Sequence, residues 1–351
     1  MVFGLSCPLC QVPHLILAAS LILSAIKAFR FHAHAKVLFH AMSGLLLLVY
    51  PQLIYGPMIS GGKFDAVHVV LQRFTAPYHL GFAFFHCCSA VYDKVYGVNA
   101  VILFSKAITA AFILMNKLIS AFLLYEQRAR GHYISQNFLA CSLILDGIWL
   151  LVELYALIYS SRSSLSDEIE LMCARTRRWI DTGHSNFVSQ RAVFWIDSAI
   201  CLFSAMFQFA FAEQLLKLMI IREHIITELH EMYAREYACQ CLAPAIISLV
   251  ASFQFSTGQQ KHYIGQRILS QAMVCILSGW AHFGVGLFAP AHTVPFVLSF
   301  FHCALLAEAL EDVIGAGGTV PARMANIVGG GGNSSPAATY VFRTTTLQKV
   351  K

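Results

Sequence analysis

The chain has 351 residues, of which 58% are hydrophobic and 12% charged, and it carries a formal net charge of +6. That balance lies well outside a soluble domain and excludes a water-exposed globular fold as the main body. The basic residues stand mostly between apolar runs, where anionic lipid headgroups answer them, so the charge requires no nucleic-acid partner.

Residues 12–26 are apolar and lead into Lys27, Arg30, His32, His34 and Lys36. A secretory leader has the opposite order of charge and apolar stretch, so residues 1–36 read as an uncleaved helix that lies at the interface or inserts as a ninth span. Cys7-Pro8-Leu9-Cys10 has redox or metal spacing, but a single such pair defines no site. The other cysteines, among them Cys87, Cys88, Cys141, Cys201, Cys275 and Cys303, stand inside apolar runs as small buried hydrophobes.

Eight runs then follow, at residues 37–57, 74–92, 95–124, 138–159, 192–221, 238–255, 263–288 and 293–314. Each is long enough to cross about 30 Å of hydrocarbon as a helix, and none alternates polarity as a barrel strand does. The expected fold is therefore all-α, a polytopic transmembrane bundle of eight core spans.

Those spans read as two parallel four-helix repeats, residues 37–159 and 192–314. Both units open their second helix on Ala-Pro, at Ala76-Pro77 and Ala243-Pro244, and both follow it with a short polar turn, Asp93-Lys94 and Gln260-Lys261. Four spans is an even number, so the units insert in the same direction. Between them, residues 160–191 form a basic linker with an amphipathic helix, where Ile169, Met172 and Ile180 oppose Arg175, Arg177 and Arg178. Residues 315–351, with glycines at 329 to 332, form a flexible Gly/Ser-rich tail.

Basic residues favour the side holding Lys27, Lys36, Lys94, Arg175, Arg177, Arg178, Arg267 and the tail over the side holding Lys63, Arg73, Arg128, Arg130 and Arg235. The first side is expected to be cytoplasmic, or matrix or stroma in an organellar inner membrane, and both ends of the core lie there.

Charges inside the runs are the most specific chemical signal, because isolated ions in hydrocarbon cost several kcal/mol each and pairing relieves that cost. Lys106 and Lys117 share one face of the third run, and Asp146 and Glu153 share one face of the fourth. With antiparallel neighbours, Lys117 falls level with Asp146 and Lys106 level with Glu153, giving two intramembrane ion pairs. Glu308 stands in the second unit about where Glu153 stands in the first.

Fifteen histidines are a second signal. His79, His86, His282 and His302 stand in apolar runs and could ligate haem or a metal if two met at one depth, although an imidazole on an apolar helix more often bonds a neighbouring backbone or hydroxyl. His224, Glu228 and Glu231 share a face of a charged helix, where Glu231–Arg235 and Glu213–Lys217 staples at i,i+4 are the plainer reading. No phosphate loop, nucleophile elbow or zinc-protease helix is present, so an enzyme is the less favoured class and no cofactor is expected.

Three function classes follow. The leading one is a non-catalytic, multi-pass structural or accessory subunit of a larger membrane assembly, with lipids and other membrane subunits as partners. The second is a carrier or channel with its path between the two repeats near Glu153 and Glu308. A haem-bearing electron carrier is the third.

Overall fold

The computed structural model describes residues 29–52, 65–91, 100–127, 135–161, 188–221, 223–255 and 257–318, with positions 19 and 22. The expected helices at 12–26 and 166–181, and the tail beyond residue 318, lie outside the described residues. So does the Cys7–Cys10 pair.

In chain order the helices are α1 (Phe29–Val49), α2 (Ala66–Arg73), α3 (Ala76–Val91), α4 (Ala100–Gln127), α5 (Gln136–Ser161), α6 (Val188–Ala210), α7 (Ala212–Met219), α8 (Glu228–Gln240), α9 (Leu242–Gln254), α10 (Thr257–Gly279) and α11 (Thr293–Gly318). The described residues contain no strand. One antiparallel bridge, Ile220 with Phe288, ties the segment after α7 to the one before α11. Its backbone bonds run from Ile221 N to Leu287 O at 3.1 Å and from Ala289 N to Met219 O at 2.7 Å.

Among the described residues, four helical stretches are long and apolar enough to cross a membrane: Val101–Leu123 in α4, Leu139–Ile158 in α5, Ala192–Ala210 in α6, and Pro290–Glu311 around α11. The remaining expected passages differ from the eight apolar runs for identifiable reasons. The apolar part of α1 is short, His34–Val49. α10 carries Gln259, Lys261, His262, Gln266 and Arg267 along its length. α3 and α9 are short because each continues from a preceding helix across a break.

Those breaks fall just before the two prolines. α2 closes at Phe74, whose amide reaches Val70 O at 3.2 Å, and α3 starts at Ala76 with Pro77 in its first turn. α8 closes at Cys241 and α9 starts at Leu242 with Pro244 in its first turn. Proline has no amide hydrogen to give the carbonyl four residues back, and its ring crowds that carbonyl, so the helix divides there.

Packing follows small residues and the apolar faces. α3 lies against both α1 and α10, α9 lies against both α6 and α4, and the pairs α4 with α5 and α10 with α11 run side by side. Gly81 on α3 allows the approach to α10, since a Cβ there would overlap Ser270 Oγ and sit 3.3 Å from Gln266 O. Gly44 does the same for α1, where a Cβ would lie 2.6 Å from Leu80 Cγ. One apolar core joins Val67, Val70, Phe74, Leu216, Met232 and Leu277, and another joins Phe82, Phe85, Phe194, Ile247, Phe255 and Leu306.

The outer helices turn apolar side chains outward. Phe203 is 68% exposed and Leu151 66%, with Ile158, Met206, Leu298, Phe300 and Phe301 similarly open on α5, α6 and α11. A surface of this extent would aggregate in water and is what a bilayer covers.

Candidate functional site

Polar side chains gather inside the bundle in separate centres. The first takes residues from α1, α3, α4 and α5. Lys36 Nζ donates to Glu153 Oε2 at 2.6 Å, with both side chains 2% exposed. Glu153 Oε1 accepts from Trp149 Nε1 at 3.1 Å, one helical turn away on α5.

Beside this pair, Lys106 Nζ reaches His40 Nε2 and His86 Nε2, each at 2.7 Å, and stands 4.5 Å from the centre of the Phe82 ring. His40 Nδ1 faces His79 Nδ1 at 3.1 Å. The proton positions follow from the donors. Lys106 Nζ has N–H donors for both Nε2 atoms, and when it donates to both, His40 carries its own proton on Nδ1 and gives that bond to His79. The result is a continuous line, Lys106 to His40 to His79, in which every link is able to exchange a proton. The centre holds two lysine amines and one carboxylate, and Lys106 rests on imidazoles and a ring face.

The second centre lies among α6, α9, α10 and α11 and pairs its two charges with each other. Asp197, 1% exposed, takes Arg267 Nε at 3.0 Å on one oxygen and Arg267 Nη2 at 2.9 Å on the other. His302 Nε2 meets the same carboxylate at 2.8 Å, and Ser248 Oγ also donates to it. Tyr263 continues the network, lying 2.7 Å from Ser248 Oγ and donating to Pro244 O at 3.0 Å. One carboxylate and one guanidinium pair in a fork geometry through Nε and Nη2, while Arg267 Nη1 is buried without a hydrogen-bond partner.

A third set joins α4, α5 and α8. Lys117 Nζ lies 2.5 Å from Asp146 Oδ2. Asn116 Nδ2 donates to Met232 O at 2.8 Å, and Ser120 Oγ to Glu228 Oε1 at 2.9 Å. Arg235 spans Glu228 at 2.8 Å and Glu231 at 2.7 Å, while Lys217 pairs with Glu213 at 2.5 Å.

The sequence-predicted residues are thus distributed unevenly. Lys117 and Asp146 come together, whereas Glu153 takes Lys36 and Lys106 takes histidines. Glu308 is exposed on α11, away from Glu153. The four histidines expected for haem do not meet: His79 and His86 belong to the first centre, His302 to the second, and His282 stacks on His292 with ring centroids 6.0 Å apart.

Two residues counted as loop cations, Lys36 and Arg267, are 1% exposed and belong to the core. Asp197 escaped notice in the sequence, although it is a lone acid in an apolar run, which is the signal that would have found it.

At the start of α2 and α8 another group converges. Asp65 Oδ1, His68 Nδ1 and His230 Nε2 are near enough to one another to hold a metal ion. Asp65 lies outside the four apolar spans. Burial pushes its carboxyl up, but hydrogen bonds from His230 and His68 outweigh that and hold it well below the usual carboxylate range.

A family model described as a domain of unknown function, DUF8292, matches residues 34–309. No curated protein and no solved structure matches the chain.

Proposed function

The chain belongs to the DUF8292 family, a domain of unknown function, and we propose that it is a multi-pass membrane carrier that moves protons through the centre built on Lys106. The observation that carries this reading is the setting of the Lys106 amine, held at 2.7 Å by two imidazoles. A charged side chain at the bilayer centre costs about 3 kcal/mol, and a centre that serves packing alone closes its charges on each other. In this proposal Lys106 gives a proton to His40 Nε2, His40 Nδ1–H passes one to His79, and the Lys36–Glu153 pair sets the local potential. Since Glu308 is exposed, the path runs through Glu153 and its own neighbours.

The reading includes eight passages as two parallel four-helix units, with both ends of the core on the basic side. It is supported by the breaks before Pro77 and Pro244 and by helix pairs that correspond in chain order, α1 with α3 beside α6 with α9, and α4 with α5 beside α10 with α11.

A second reading, a structural or accessory subunit, is favoured by the closed Asp197–Arg267 and Lys117–Asp146 pairs and by the apolar surface of α5, α6 and α11. Liposomes separate the two. With an imposed potential, the purified protein should acidify a trapped pH dye, and Lys106→Met should abolish this while remaining folded. Folded protein that gives no more flux than empty liposomes would return the assignment to the structural reading.

A further inference from the structure

We propose that Asp65, His68 and His230 form a zinc-class divalent metal site that joins the first half of the chain to the second. This inference is independent of the proton path.

The geometry begins with two matched helix starts. Asp65 caps α2 and His68 stands three residues on, its ring returning to the cap; Thr227 caps α8 and His230 does the same. Capping accounts for each histidine within its own helix. It does not account for their meeting, with ring centroids 3.7 Å apart, nor for the three donor atoms that face one another across the join. His68 Nδ1 lies 2.7 Å from Asp65 Oδ1 and 3.0 Å from His230 Nε2, and that nitrogen lies 3.2 Å from Asp65 Oδ1.

Donors on a tetrahedral ion with bonds of 2.0–2.1 Å stand roughly 3.4 Å apart, so the sides of the triangle need to lengthen by about 0.2 to 0.7 Å, the most between Asp65 and His68. Hydrogen-bond demands at His68 Nδ1 also conflict. The Asp65 amide at 3.4 Å needs a bare nitrogen there, and the Asp65 carboxylate at 2.7 Å needs a proton on it. An ion removes the conflict by drawing the lone pairs of nitrogen and carboxylate to itself.

Two imidazoles and one carboxylate suit zinc and leave a fourth position. The histidine side chains are 6% and 1% exposed, whereas that of Asp65 is 36% exposed, which gives an ion its way in. Behind His230, the Thr227 amide at 3.0 Å and Thr227 Oγ1 at 2.9 Å both meet Nδ1 and fix the ring with Nε2 toward the site.

The test uses the full chain in detergent, with Cys7→Ser and Cys10→Ser so that the N-terminal pair takes no metal. After stripping with chelator, zinc is titrated against a chromogenic competitor. One zinc per chain is expected, with binding weakened more than about tenfold in Asp65→Asn and His68→Ala. Asparagine caps a helix as well as aspartate does, so Asp65→Asn separates ligation from capping and keeps the fold. Cobalt in place of zinc should give a visible ligand-field spectrum that Asp65→Asn alters. Folded protein that takes up no zinc, or affinity unchanged in Asp65→Asn and His68→Ala, overturns the site.

Discussion

The first half of the molecule keeps a buried centre with two lysine amines and one carboxylate, and the second half keeps one with a single carboxylate gripped by a single guanidinium. Both draw on the first helix of their half, the helix after the proline break, and the two helices that follow. The difference lies in closure. Arg267 presents a planar fork that matches Asp197 on both oxygens, and His302 and Ser248 add bonds to the same carboxylate, so the charges pair one to one although Arg267 Nη1 keeps no hydrogen-bond partner. Lys106 is a compact point charge on groups that are themselves bases, so its proton has somewhere to go. Burial alone therefore does not distinguish the two centres; what differs is whether the partners of the buried amine or guanidinium are bases or a carboxylate.

The comparison breaks or sharpens under substitution. The largest effect is expected at the closed centre. Asp197→Ala leaves Arg267 buried without its carboxylate and should lower stability by about 3–5 kcal/mol in detergent unfolding. Adding Arg267→Met should recover most of that loss. A double variant no better than Asp197→Ala would mean the two residues are not one staple.

Asp146→Ala should cost about 3 kcal/mol by stranding Lys117, with recovery in the Lys117→Met double variant. The half-buried setting of Asp146 places this somewhat below the Asp197 effect. Purely additive losses would remove the pair from the list of staples.

Gly81→Ala tests the packing that holds α3, and with it His79 and His86, against α10. The new Cβ meets Ser270 Oγ, and the strain should cost about 2 kcal/mol. Unfolding temperature unchanged from the parent protein would show that the helices part easily there.

The smallest effect on stability is expected at Lys106. Lys106→Met removes a charge and leaves His40 and His86 able to accept other bonds, so stability should change by less than about 1 kcal/mol or rise. Proton flux should vanish in the same variant. A loss of 3 kcal/mol or more, equal to that of Asp197→Ala, would make the two centres alike and assign both to packing.

Much of the architecture was legible in the chain. Run length and composition give helices in a membrane, and Pro77 and Pro244 give the breaks, because both signals are local: a span needs a certain number of apolar residues, and a proline withholds its hydrogen bond wherever it stands. The Lys117–Asp146 pair is legible for a related reason. Its helices adjoin through a short connection, so depth can be counted outward from the loop.

Other contacts were decided only by tertiary structure. Lys36 takes Glu153 from the far end of the first half, and Lys106, level with Glu153 by counting, turns to His40 and His86 instead. Asp197 finds Arg267 seventy residues away, and His68 meets His230 across the two halves. Each depends on how far non-adjacent helices rotate and slide against one another. That is set by glycines such as Gly44 and Gly81 and by the apolar faces packed around them, while the residue spacing along any one helix is the same whichever neighbour it meets.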